Sequence, residues 1–354
     1  MIISKTPFRI SFFGGGTDYP VWYRKYGGAV LATTIDKYCY ITCRYLPPFF
    51  EHKIRVVYSK VDSCKSIDEI SHPSVRETLR FLKMNRGVEI HHDGDLPARS
   101  GMGSSSAFTV GLLHALYALK GRMPSKHQLA RESIHIEQEI LKETVGSQDQ
   151  MSAAYGGLNL IEFSETGEIS IKPVTLTQER IKELNSHLML FYTGIIRTAA
   201  DIAESYVNGI EERKEQLSRL NGLLEGSIEI LNADKDIAGF GRLLHEAWNI
   251  KRSLSARVSN PKVDEIYSEA RSAGAVGGKL TGAGGGGFML LFVPPEKQRE
   301  VRRKLNNLIY VPFKFEFSGS QIVFLNHQED YSILEKEREK QTIQMFKELE
   351  DIKT

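Results

Sequence analysis

The stretch "LPARSGMGSSSAFTVGLLHALYAL", residues 96–119, decides how the rest of this chain is read. Small residues crowd from Arg99 to Ser106. An apolar pattern then begins without a break at Phe108, Leu112, Leu113, Leu116 and Leu119, with the 3.6-residue period of a helix. A helix start leaves its first backbone N–H groups unpaired, and the peptide dipoles make that end partly positive. Gly101 and Gly103 let an anion approach the backbone, and Ser104, Ser105 and Ser106 add hydroxyls; such a place takes phosphate. Two widespread phosphate loops do not fit. No Lys follows Gly103 as a P-loop requires, and Ser106 stands where the dinucleotide fingerprint has its third glycine. On this stretch alone, a phosphate cradle and a helix merely capped by serine both remain open.

The chain has 354 residues, enough for about two domains and a substantial core. Its net charge is +2, from 46 basic and 44 acidic residues, which gives no electrostatic case for nucleic acid or an anionic membrane as partner. Cys39, Cys43 and Cys64 make no disulfide framework and lack the companions of a zinc site, so a reduced, cytoplasmic setting is expected. The opening "MIISKTPFRISFFGGGTDYP" has no secretory-signal pattern, and no apolar run reaches the roughly 20 residues of a membrane span.

Strand patterns occupy 1–13, 28–46, 53–58, 86–92 and 156–163, with helices predicted over 104–120 and 126–142. In the second half an apolar strand near 187 precedes helices at 199–232, 236–253 and 261–273. Strands follow at 287–293, 311–317 and 321–326, and the charged tail 328–352 reads as helical. Strands gathered before helices imply an α+β fold. Polar residues at 165–186 mark a boundary, dividing the chain into domains 1–180 and 181–354.

Two further glycine-rich stretches, "FFGGGTDYP" at 12–20 and "KLTGAGGGGF" at 279–288, adjoin strand patterns. Glycine in ordered backbone costs entropy, so three clusters point to backbone drawn close to something shared, against the alternative of three unrelated turns. In order and content these stretches resemble the three motifs of the GHMP kinases. "TPFRISFFGGGTDYP" is similar to the first motif, "LPARSGMGSSSAF" to the second and "KLTGAGGGGF" to the third, so the likeness spans nearly the whole chain. One departure is clear: Gly14, Gly15 and Gly16 stand where the galactose-specific branch has Gly-Glu-His, while Thr17, Asp18 and Tyr19 are kept. With that departure the chain most resembles the bacterial branch acting on heptose phosphates.

The resemblance implies a two-lobed architecture with an S5-like N-terminal domain, a ferredoxin-like C-terminal domain and the site between them. It implies ATP and Mg²⁺ as cofactors and a sugar phosphate as substrate, phosphorylated on the anomeric hydroxyl. Another sugar such as fucose, or a binding protein that has lost catalysis, are the alternatives; monomer and homodimer stay open. Arg99, Ser100, Gly101, Met102, Gly103, Ser104, Ser105 and Ser106 would wrap the ATP phosphates. Ser105 and Glu137 would hold the metal. Glu137 stands twelve residues before Asp149 in "IHIEQEILKETVGSQDQ", and Glu139 is turned to another helix face. Asp149 is the expected base or orienting group for the acceptor hydroxyl, and Arg9 the cation that offsets charge on the transferred group. Gly15, Gly16, Thr17, Asp18, Gly282, Gly284 and Gly285 would line the substrate. Arg197 and Arg252, ranked above Lys251 for their bidentate reach, would meet a distal phosphate.

Overall fold

The computed structural model describes residues 1–195, 199–232, 235–326 and 329–341. Strand Ile2–Phe13 runs antiparallel to the long strand Gly28–Tyr45, from Ile2 opposite Cys43 to Phe13 opposite Leu31. The register shifts after Pro7 and again after Ser11, so Arg9 lies between two irregularities of the kind that re-aim side chains. The long strand changes neighbours along its length: Gly28–Thr33 pairs with Leu158–Phe163, and Cys39–Tyr45 with Val88–Gly94. Ile54–Val57, Val61–Cys64 and Ile169–Pro173 extend the sheet on either side. Helix Ser104–Leu119 lies on this sheet, with Ser4 Oγ donating to Gly111 O at 2.8 Å. Its apolar residues surround the axis rather than forming one stripe, as a helix covered on all sides requires, and all but a few of its residues are buried.

The second lobe is a four-stranded antiparallel sheet, in the order Ile309–Tyr310, Leu188–Tyr192, Phe288–Phe292, Gly277–Leu280. Phe288–Phe292 is buried at every position. Helices Gln178–Ser186, Lys214–Asn232, Ala238–Arg252 and Pro261–Ser272 belong to this half. The last begins as its sequence dictates, with Asn260 Oδ1 accepting from Val263 N and Pro261 in the first turn. At the junction of the lobes Phe12 and Phe13 meet Phe240 edge-on, with ring centroids 5.3 and 5.1 Å apart.

The two-lobed α+β expectation holds, but the lobes are not the segments 1–180 and 181–354. Phe315–Glu316 and Gln321–Leu325 return to the first sheet, pairing with Thr34–Ile35 and with Ile2–Lys5. The polar stretch 165–186 is also no linker: it contains a strand of the first sheet and helix Gln178–Ser186, so position 180 falls inside a helix. The helix expected over 126–142 is α-helical only for Lys126–His135 and continues as a π-helical turn over Ile136–Ile140. The span 199–232 breaks at Gly209, whose φ of +105° no helix accommodates. Of the tail, Ser332–Arg338 is helical, and 342–354 lies outside the described residues. The three cysteines are free and buried, and among the described residues no helix is long and apolar enough to cross a membrane.

Candidate active site

The helix at residue 104 is not capped by a serine. Its N-cap is Gly103, in the left-handed region at φ +72°, and no side chain caps the first turn. The alternative of an ordinary serine cap is thereby removed, and the N–H groups of the first turn are left for something else. Glycine is required at 103 for a second reason. A Cβ there would stand 3.1 Å from Arg9 Cγ and 3.3 Å from Asp149 Oδ2. Arg9 and Asp149 form a two-pronged ion pair directly beneath the loop: Nε donates to Oδ1 and Nη2 to Oδ2, both at 2.7 Å. Arg9 Nη1 donates to Gly101 O at 2.7 Å, and Arg9 N to Met102 O at 3.1 Å. Asp149 sits in the first turn of helix Gln148–Tyr155, where the dipole favours a carboxylate. The Arg9 side chain is 6 % exposed and that of Asp149 is 23 %, so the acid is the more accessible partner.

Glu137 lies on the π-helical turn, a distortion that often marks functional positions, and it is fully buried. Its Oε2 accepts from Ser106 Oγ at 2.8 Å and from Gln150 Nε2 at 2.5 Å. Its Oε1 and the neighbouring Gln150 Oε1 are buried without a hydrogen-bond partner. Burial raises the carboxyl to about 7, against the opposing hydrogen bonds of Ser106 and Gln150. Glu139, two residues on, is exposed. The hydroxyl that meets Glu137 is that of Ser106, whereas Ser105 is exposed at the helix start. One residue turns a helix by about 100°, so the cap at Gly103 decides which serine faces inward.

Asp18 is buried, with Oδ1 accepting from Gly16 N at 2.9 Å and Oδ2 from Gln148 Nε2 at 2.8 Å. Burial raises its carboxyl above the usual range, the Gly16 and Gln148 hydrogen bonds oppose this, and the charge of Asp149 adds to it. Its carboxylate thus organises the 14–18 loop. Thr17 Oγ1 donates to Gly14 O at 2.8 Å and is likewise internal. Lys279, from the third glycine stretch, reaches across to donate from Nζ to Phe12 O at 2.8 Å. Burial, with the added effect of Arg9, lowers its ammonium to about 7, and Asp18 opposes the shift.

The three glycine stretches converge. A Cβ at Gly282 would lie 2.6 Å from Gly101 Cα, and one at Gly101 would lie 2.6 Å from Thr281 O. Gly285 N donates to Val258 O at 2.6 Å, and a Cβ at Gly284 would meet Val258 at 2.7 Å. Within the second stretch, Met102 is buried, Ser100 Oγ donates to Pro97 O, and the exposed Arg99 adopts φ +59° with its N–H donating to Ser104 Oγ. Lys251 Nζ donates to Gly282 O. Arg252 is held away from that loop, with Nη1 on Asp264 Oδ1 at 3.1 Å and Nη2 on Asn249 Oδ1 at 2.6 Å. It borders a polar cleft with Ser253, Ser255, Ser259 and Asn260, and Asn260 Nδ2 donates to Gly285 O. Arg197 lies outside the described residues. The reading of the sequence missed Lys279, Gln148, Gln150, Ser106 as the partner of Glu137, and Ser11. The signal for Lys279 was present, since it is the one charged residue in "GAVGGKLTGAGGGGFMLLFV".

Comparison with known proteins gives a consistent result. Residues 73–157 match the family model "GHMP kinases N terminal domain", and residues 225–311 match "GHMP kinases C terminal". The chain is 30% identical over 325 residues to the D-glycero-alpha-D-manno-heptose 7-phosphate kinase of Campylobacter jejuni, covering 86% of this chain and 93% of that one. It is 26% identical to the bifunctional fucokinase/GDP-fucose pyrophosphorylase of Arabidopsis thaliana, over 84% of this chain and 30% of that protein. Among solved structures, a D-glycero-D-manno-heptose 1-phosphate kinase from Bacteroides thetaiotaomicron superposes with a TM-score of 0.75 at 25% identity, covering 92% of this chain and all of that one.

Proposed function

The chain belongs to the GHMP kinases, a family of phosphotransferases, and from that premise we propose that it transfers the γ-phosphoryl group of ATP, with Mg²⁺, to the anomeric hydroxyl of a heptose 7-phosphate. The observation that carries the reading is the Arg9–Asp149 pair seated against Gly101 and Gly103, which puts an acid, a cation and an uncapped helix start in one place. Phosphoryl transfer asks for little else: the triphosphate held, its charge offset, and the acceptor oxygen aligned.

Residues 99–106 cradle the phosphates through backbone N–H groups and the Ser104 and Ser105 hydroxyls. Asp149, the more exposed partner of the ion pair, accepts a hydrogen bond from the attacking hydroxyl and takes its proton as the new bond forms. Both of its oxygens are held by the Arg9 guanidinium, so it aligns the acceptor from a fixed position. Arg9 is fixed by three bonds and stands ready to offset charge on the transferring group without reorganising.

The residues around Glu137 fit a magnesium ion. Mg²⁺ takes one or two protein oxygens and otherwise keeps water and phosphate oxygens, and Glu137 Oε1 is a buried carboxylate oxygen without a partner. Glu137 and a serine hydroxyl, Ser106 or the Ser105 of the family pattern, would hold it. When bound it neutralises phosphate charge and keeps Glu137 ionised.

Arg252, on the polar cleft whose Asn260 bonds Gly285 O, and Arg197 would meet the distal phosphate. The relative in Campylobacter jejuni, whose name includes heptose 7-phosphate, supports this substrate over fucose. The test is ADP release with heptose 7-phosphate, free heptose, fucose and galactose. Turnover with heptose 7-phosphate well above the rest supports the proposal, and preference for an unphosphorylated sugar overturns it.

A further inference from the structure

We propose that Lys126 is a positioning residue for Asp149: with the returning loop at residues 316–320 it clamps the far end of the helix that carries the acid, and so sets where the acid stands. This rests on the kinase reading above and adds to it a group that acts through the helix.

Helix Gln148–Tyr155 has eight residues and is about 12 Å long. Its first three residues all bind the site: Gln148 Nε2 donates to Asp18 Oδ2, Asp149 pairs with Arg9, and Gln150 Nε2 donates to Glu137 Oε2. So short a rod carries any tilt at one end to the other, and the grip on its Tyr155 end bears on Asp149. That end is tightly held. Gly156 closes the helix at φ +71°, and a Cβ there would stand 2.1 Å from Gly319 N. A Cβ at Gly319 would stand 2.4 Å from Ala154 O, so backbone meets backbone. Gly157 N donates to Glu316 O at 2.9 Å. The buried Glu316 carboxylate stiffens the loop itself, with Oε1 accepting from Ser318 N at 2.7 Å and Oε2 from Gly319 N at 3.1 Å. Ser320 Oγ then lies 2.8 Å from Thr6 Oγ1 and 3.0 Å from His114 Nδ1. The loop is therefore anchored on the strand that carries Arg9 and on the helix that starts after Gly103.

Lys126 joins the two sides of this clamp. Its Nζ donates to Tyr155 O and to Ser318 O, both at 2.9 Å. Its own helix gives no reason for a cation. Lys126 is the first residue of helix Lys126–His135, where the dipole disfavours positive charge, and no acid stands in that first turn to offset it. Tyr155 O is one of the last carbonyls of the neighbouring helix, the end at which a lysine is favoured. The lysine loses at one helix and gains at the other, which points to the clamp as its purpose.

The test places Lys126→Met and Lys126→Arg in wild type and in Asp149→Asn, with heptose 7-phosphate as acceptor, reading kcat, both KM values and Tm. A misplacement of about 1 Å can cost about 10²-fold, so Lys126→Met should lower kcat about tenfold with both KM values held within about twofold. Lys126→Arg keeps the charge and the donors, and should restore kcat. In the Asp149→Asn background there is no acid left to misplace, so Lys126→Met should cost less than about twofold there. Glu316→Gln, which weakens the hold on Ser318 N and Gly319 N, should show the same split and reads the clamp even if Lys126→Met fails to fold. A wild-type kcat in Lys126→Met, or a full tenfold loss in the Asp149→Asn background, overturns the proposal. Absence of wild-type turnover on every sugar instead overturns the kinase reading, and the clamp's role with it.

Discussion

Arg9 and Asp149 should behave as one unit, and a double-mutant cycle on Arg9→Met and Asp149→Asn would show it. Two of the three guanidinium bonds go to the carboxylate and one to Gly101 O, all at 2.7 Å. Breaking a fully buried pair costs about 3–5 kcal/mol, while an exposed pair is worth about 0.2–1 kcal/mol. With side chains 6 % and 23 % exposed, this pair lies between those limits, and about 2 kcal/mol of coupling is expected. Arg9→Met also loses the bond to Gly101 O, so it should destabilise by about 3 kcal/mol, Asp149→Asn by about 2 kcal/mol, and the double variant by about 3 kcal/mol rather than the sum. Urea denaturation of the four proteins measures this directly. Turnover should show the same non-additivity: each single variant should lose on the order of 10²-fold in kcat, and the double variant little more. Stability losses that add to within about 0.5 kcal/mol would refute the coupling, and the picture of an acid held in place by its cation would go with it.

Glu137→Gln should fold normally but lose most activity at ordinary Mg²⁺ concentrations, because a neutral amide is a poor ligand for a hard cation; unchanged turnover and Mg²⁺ dependence would remove Glu137 from the metal site. Lys279→Met should change how stability depends on pH. An unfolded lysine keeps its proton to about 10.5 and Lys279 only to about 7, so between these values the unfolded chain binds more protons and wild-type stability rises with pH. Below pH 7 the wild type carries the whole penalty, with an upper bound of about 5 kcal/mol, so the methionine variant should be the more stable at pH 6 and lose that lead towards pH 10. Parallel profiles for the two proteins would show that Lys279 is not buried as described. Gly103→Ala, which forces a side chain into the left-handed region and against Arg9 and Asp149, should cost about 1–2 kcal/mol in stability and lower kcat more than it raises KM for ATP; a kcat equal to wild type would show that the loop and the ion pair are not coupled.

The sequence named the helix start after Gly103, Asp149, Glu137 and Arg9 as candidates because each sits in a short motif whose chemistry is local, and the structure seats Arg9 and Asp149 together against that helix start. What escaped depended on phase or on distance. Choosing between Ser105 and Ser106 requires knowing which residue caps the helix, and a one-residue difference there rotates every later side chain. The return of Gln321–Leu325 to Ile2–Lys5 closes a loop of some three hundred residues, and no local pattern announces such a pairing. Gln148 and Ser11 look like ordinary polar residues in a string. Only the fold shows that both are buried and close to Gly15. For Asp18 the motif was legible, but not that the amide of Gln148 and the backbone of Gly16 both bond its oxygens in the folded chain.

The most direct test of the central claim is to incubate the protein with ATP, Mg²⁺ and heptose 7-phosphate, isolate the product and determine by phosphorus NMR where the new phosphate sits. The account predicts a bisphosphate whose new group is on the anomeric oxygen and is released by mild acid while the original phosphate stays. It also predicts kcat/KM for heptose 7-phosphate on the order of 10²-fold or more above that for free heptose, since two charged contacts to the distal phosphate are each worth about 1.5–3 kcal/mol. A new phosphate at any other position, or equal kcat/KM for the free and phosphorylated sugars, would contradict it.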